Sequence, residues 1–117
     1  MLAEIENELN AADGAAALAL INQLRTARQL PLVDATEFGA TQAERLDYIL
    51  DERQFELYGE AKRWWDLVRN DKAISTMTPI LTARGITEAL SEDRLMWPIH
   101  IDHLLENPLL NQNAGYN

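Results

Sequence analysis

Apolar residues recur at helical intervals along most of this chain. Leu2, Ile5 and Leu9 mark one face of a first helix over Met1 to about Ala11. Asn10-Ala11-Ala12-Asp13-Gly14 then holds the residues that stop one helix and start another. Ala15 to Arg28 predicts a second helix with Leu18, Ile21 and Leu24 inward and Leu20 beside them, and its many alanines favour helix and permit close approach by a neighbour. Two helices joined by a tight turn form an antiparallel hairpin, the unit of helical repeat proteins, although one copy does not establish a repeat.

Gln29 to Ala40 breaks the period with Pro31 and Gly39 and reads as a loop anchored by Leu30, Leu32, Val33 and Phe38. From Thr41 to Asn70 there is no proline and a single glycine, Gly59, while Leu46, Leu50, Leu57, Ala61, Trp64 and Val68 keep helical spacing. One long helix is expected here, opened by a capping box of Thr41 and Glu44 and ended near Asn70 and Asp71. Beside its apolar row runs a second stripe, Ile49, Arg53, Glu56, Glu60, Arg63 and Leu67, in which opposite charges are aligned rather than scattered over a polar face.

Past Lys72 the periodicity weakens. Ala73 to Met77 and Ile80 to Ala83 predict short helical turns separated at Pro79, Gly85 ends the second, and Thr87 to Arg94 is polar and indeterminate. Arg94 to Ile99 reads as an extended apolar anchor, because a residue before proline, here Trp97, is pushed out of the helical region. Asp102 to Glu106 can make one more turn, and Leu110 and Tyr116 in the loop-like ending suit packing back onto the helices. No strand pair is evident, so the fold class is all-α with a long central helix and an irregular carboxyl-terminal tail.

Composition narrows the function. The 117 residues suit about one domain, of 47% hydrophobic and 25% charged residues. A net charge of -9, from 19 acidic and 10 basic residues, with no basic patch, argues against nucleic acid as a partner. Without cysteine there is neither a disulfide framework nor a thiolate metal site. No stretch matches a membrane span or a signal peptide, and the chain starts in mid-pattern, as a piece of a longer parent would.

The motif Glu52-Arg53-x-x-Glu56-Leu57-x-x-Glu60-Ala61-x-Arg63-x-x-Asp66-Leu67-x-Arg69 closely resembles the signature helix of SusD/RagB proteins, nutrient-binding lipoproteins of the bacterial outer membrane. Leu2-Ala3-Glu4, Ala17-Leu18 and Ile21-Asn22-x-x-Arg25 resemble the family's upstream hairpin, and Trp97-Pro98-Ile99 with Asn107-Pro108-x-Leu110-x-Gln112-Asn113-x-Gly115-Tyr116 resembles its ending. Ala61 stands where glycine is usual, His100 replaces the second proline of Pro-Ile-Pro, and Ala114 replaces the proline before the final Gly-Tyr. The resemblance implies a tetratricopeptide-like scaffold over residues 1–117, with a hairpin at 1–28, the signature helix at 41–70 and the tail at 71–117. It also implies a lipid-anchored parent at the cell surface, binding oligosaccharide or another nutrient and passing it to a TonB-dependent, SusC-like transporter. This piece alone, without signal or anchor, would be soluble and could self-associate through faces left by missing repeats.

Three candidate sites follow from residue types. Glu52, Glu56 and Glu60 could supply a glycosidase carboxylate pair, but Arg53 and Arg63 at helical spacing would hold them ionised. The expected role of Glu52, Arg53, Glu56, Glu60, Arg63, Asp66 and Arg69 is therefore a structural ion-pair network rather than catalysis. Trp64 and Trp65 differ by about 100° around a helix, so they cannot share a ligand; Trp64 belongs to the core and Trp65 is the candidate for stacking a sugar. His100, Asp102 and His103 lack the spacing and third ligand of a zinc site. No metal, cofactor or catalytic residue is expected. The alternatives to nutrient binding are a helical protein-interaction scaffold and, less favoured, a small glycoside hydrolase.

Overall fold

The computed structural model describes residues 1–88 and 90–116. Among them are seven α-helices, a 3₁₀ turn at Glu92–Arg94 and no strand. The helices are α1 (Leu2–Leu9), α2 (Ala15–Ala27), α3 (Ala35–Phe38), α4 (Gln42–Glu56), α5 (Arg63–Arg69), α6 (Ala73–Ala83) and α7 (Ile101–Glu106). The all-α class holds. The chain forms two compact units, Met1–Lys62 and Arg63–Asn117.

In the first unit α1 and α2 form the expected hairpin, and α4 packs against α1. The core is Ala3, Ala17, Ile21, Val33, Phe38 and Ile49, with Leu18, Leu20 and Tyr48 packed around it. Ala3 on α1 and Ala17 on α2 let the two helices approach, and the bulk comes from Ile21 of α2, Val33 and Phe38 of the connecting stretch and Ile49 of α4. Phe38 reaches this core because α3 turns the connecting loop inward. Asp34 caps that helix, its Oδ1 accepting from the Thr36 and Glu37 N–H groups at 2.8 and 2.9 Å. Phe38 then meets the Tyr48 ring edge-on, with centroids 5.6 Å apart. The loop is tied back to α2 by Asn22, whose side-chain amide donates to the Val33 carbonyl and accepts from the Val33 N–H.

The inward face of α1 is not the one its leucines mark. Leu2, Ile5 and Leu9 are 58%, 48% and 74% exposed, whereas Ala3, Glu4 and Asn7 are buried. A polar lock explains the rotation. Asn7 donates to the Gln42 carbonyl at 3.1 Å and accepts from Arg45 Nε at 2.9 Å. Arg45, only 4% exposed, also donates to the carbonyls of Ala40 and Ala11. Satisfying a buried guanidinium outweighs burying one more leucine, because an unpaired buried charge costs several kcal/mol.

The single helix expected over Thr41–Asn70 is two helices. The capping box forms as predicted: Thr41 Oγ1 accepts from the Glu44 N–H, and the Glu44 carboxylate accepts from the Thr41 N–H. The helix then stops at Glu56, and the chain turns through Gly59 (φ +85°) and Ala61 (φ +55°) before α5 starts at Arg63. Left-handed residues at two positions so close together cannot belong to a right-handed helix. The apolar row continued across the break in register, which is why periodicity alone overlooked it.

In the second unit α5 runs into α6 through Asp71 (φ +55°), with the Lys72 N–H closing on the Leu67 carbonyl at 2.9 Å. Pro79 does not divide α6, which runs unbroken from Ala73 to Ala83 with Pro79 exposed. The missing N–H there removes one helical bond, while Ile74, Met77 and Leu81 keep a half-buried face through it.

The Arg94–Ile99 stretch is also not the apolar anchor expected, since Met96 is 61% and Trp97 77% exposed. Hydrogen bonds hold the tail instead. The Gln112 amide accepts from the Ile99 N–H at 2.9 Å and donates to the Ile99 carbonyl at 2.8 Å. Asn113 Nδ2 donates to the Trp97 carbonyl and the Tyr116 hydroxyl to that of Met96. Leu110, expected to pack back, is exposed.

Candidate functional site

The charged row of α4 looks across to α2. Arg25 and Glu52 form a mostly buried ion pair, and Arg25 Nε donates to the Pro31 carbonyl at 2.7 Å. One turn further on, Arg28 grips Glu56 with both edges of its guanidinium, Nε lying 3.0 Å from Oε2 and Nη2 bonded to Oε1. The Arg28 hydrogen bond holds the Glu56 carboxyl below the ordinary carboxylate range, and Glu56 in turn raises Arg28. Burial pushes the Tyr48 phenol up, opposed by the nearby Arg25 charge and reinforced by Glu52.

These pairs rim two recesses of the first unit. One, of about 250 Å³, has apolar walls including Leu2, Leu20, Leu24 and Ile49, and is also lined by Glu52, Arg53 and Glu56. The other, of about 210 Å³, lies among Arg25, Arg28, Leu30 and Phe55. A third, of about 350 Å³, belongs to the second unit and is lined by residues including Val68, Ile74, Leu95 and Met96.

The remaining sequence candidates are distributed as follows. Arg53 is half-buried on α4, and Glu60 sits in the exposed turn after it. Arg63, Asp66 and Arg69 lie on α5, where Arg69 Nε and Nη2 donate to Asp66 Oδ1 at 3.0 and 2.9 Å. Trp64 is half-buried, and Trp65 is 54% exposed. His100 caps α7, its Nδ1 accepting from the Asp102 N–H at 3.3 Å; both histidines are exposed, with ring centroids 6.2 Å apart. Among the described residues no group of three or more His, Cys, Asp or Glu is placed to hold a metal ion.

Spacing along one helix points to Arg53 and Arg63 as the partners of the α4 acids. The structure adds Arg25 and Arg28 of α2, which meet Glu52 and Glu56 across the hairpin. The signal was available in part, because Arg25 and Arg28 are the first basic residues of the sequence and lie three apart, on one face of the second helix.

An all-helical scaffold with its charged row braced across a hairpin is the class that the geometry defines. The SusD family model matches residues 1–116, and the chain belongs to that family. It is 43% identical over 105 residues to SusD-like protein P38 of Formosa agariphila, a match covering 86% of this chain and 20% of that protein. The chain thus spans about a fifth of the length of this relative. No solved structure matches it.

Proposed function

We propose that residues 1–117 form the carboxyl-terminal part of a nutrient-binding protein of the outer membrane, which captures oligosaccharide and passes it to a TonB-dependent, SusC-like transporter. The observation that carries this reading is the family match over residues 1–116. The role of this part is scaffolding without catalysis. Arg28 holds the Glu56 carboxyl below its ordinary range, whereas a glycosidase acid must keep its proton near neutral pH, and Arg25 engages Glu52 in an ion pair. Arg53, Glu60, Arg63, Asp66 and Arg69 extend the same bracing role, and Trp65 is the candidate for contact with sugar. The parent is lipid-anchored at the cell surface in this reading, and among the described residues no helix is long and apolar enough to cross a membrane.

Glycan-array binding by the longer parent polypeptide beside residues 1–117 alone tests the proposal. Binding by the parent and none by the segment is expected, together with co-purification of the parent with its transporter. A parent that binds no glycan on the array and leaves the transporter behind would refute it. Glycan turnover by residues 1–117, lost in Glu56→Gln with helicity unchanged, would establish a hydrolase instead. A second reading, a protein-interaction scaffold, is favoured by the outward leucine face of α1.

A further inference from the structure

One atom of the His100 ring faces two opposite groups of the same residue. Nδ1 lies 3.3 Å from the Asp102 backbone nitrogen and 3.4 Å from Asp102 Oδ2. A backbone N–H can only donate and a carboxylate oxygen only accept, so Nδ1 cannot bond to both in one protonation state. Neutral imidazole with its proton on Nε2 accepts from the Asp102 N–H and caps α7. Imidazolium has no lone pair left on Nδ1 and donates to the Asp102 carboxylate instead.

The cap matters because α7 has only six residues, Ile101–Glu106, and so short a helix is marginal without support at its ends. The His103 and Leu104 N–H groups close on the His100 carbonyl at 3.1 and 3.3 Å, which leaves the Asp102 N–H to the ring. Proton uptake removes that acceptor and places positive charge at the helix N-terminus, where the helix dipole opposes it. The groups around His100 are Asp102 and His103, whose ring centroid is 6.2 Å away, and His103 Nδ1 in turn lies 4.0 Å from Glu106 Oε2. Among the described residues, the ion pairs of both histidines stay within residues 100–106. A charge on His103, in the last turn beside Glu106, suits the helix, so the loss in acid belongs to His100. Outside α7, Gln112 holds both the N–H and the carbonyl of Ile99, closing the chain around the helix. We infer that His100 is a proton-operated cap, with α7 formed on the neutral ring and frayed in mild acid inside a loop that Gln112 keeps shut.

Nuclear magnetic resonance on residues 1–117 tests this between about pH 7.5 and pH 5.5, where imidazole side chains change charge. At the higher pH the His100 nitrogen shifts should report the Nε2–H tautomer. On acidification the helical Cα shifts of residues 101–106 should shrink by about half or more, in step with the His100 ring, as the cap is lost. The Ile99 and Asn113 amides should stay in place. His100→Asn supplies a side-chain carbonyl that does not titrate, and should keep the helical shifts at both pH values. His103→Gln should leave the response intact. A proton on Nδ1 at the higher pH, helical shifts that do not change, a response that survives His100→Asn, or one abolished by His103→Gln would each overturn the inference.

Discussion

Replacing Gly14 by alanine probes the polar lock at the centre of the first unit. A Cβ at this position would lie 2.3 Å from Arg45 Cδ and 2.6 Å from Nε. The arginine cannot swing aside freely, because its three nitrogens are held by Asn7 Oδ1, the Ala40 carbonyl and the Ala11 carbonyl at 2.9, 3.1 and 2.6 Å. Gly14 itself has φ -82°, open to any residue, so the obstacle is the close approach of the side chain and not the backbone conformation.

Displacing the guanidinium loses at least one charged hydrogen bond, about 1.5–3 kcal/mol, and losing glycine at the start of α2 adds about 0.5–1 kcal/mol. Gly14→Ala should therefore cost about 2–4 kcal/mol, a large share of the roughly 5–15 kcal/mol typical of a domain. Arg45→Ala should cost about 3–5 kcal/mol by leaving Asn7 and two carbonyls without their donor. In that background the clash is gone, and Gly14→Ala should cost only about 0.5–1 kcal/mol. Urea denaturation of the four proteins of this cycle, followed by circular dichroism, measures the coupling, expected at about 1.5–3 kcal/mol. Additivity within about 0.5 kcal/mol would show that Gly14 does not serve the arginine.

Ala61→Gly should stabilise the chain by about 0.5–1 kcal/mol, because a left-handed alanine costs about 1–2 kcal/mol and glycine returns part of that as unfolded-state entropy; an unchanged urea midpoint would refute this. Asp34→Ala, which uncaps α3, should cost about 1 kcal/mol and loosen Phe38, visible as faster amide exchange from Ala35 to Phe38. The Glu44 carboxyl is held below its ordinary value of 4.5 by the Thr41 N–H and hydroxyl of the capping box. Its contribution is therefore present above that value and lost as pH falls through the lower folded value, so Glu44→Gln should flatten the decline in stability below pH 4.5. An equally steep acid limb in Glu44→Gln would contradict that linkage. Gln112→Ala should free the tail from Ile99 and raise amide exchange at Ile99 and Asn113, with α1 and α2 unaffected.

Local chemistry was legible wherever it needed only neighbours in sequence. The hairpin turn at Asn10 to Gly14, the capping box of Thr41 and Glu44, and the all-α class all follow from residues within a turn or two of one another. Two left-handed residues broke the long helix at a place where the apolar period passed through undisturbed. Gly59 was a visible hint. Pro79 misled in the other direction, since packing on both sides of it keeps α6 whole.

The candidate site divides along the same line. Residue types and spacing alone determined that the chain is helical; the SusD motif was legible only through resemblance to the family, and arginine partners for the acids were an expectation. Which arginines hold them, and which face of α1 turns inward, depended on contacts spanning 27 to 38 residues. A helical period says that one side of a helix is apolar. It does not say what lies opposite, and here a buried Arg45 that needed Asn7 turned the leucines of α1 outward.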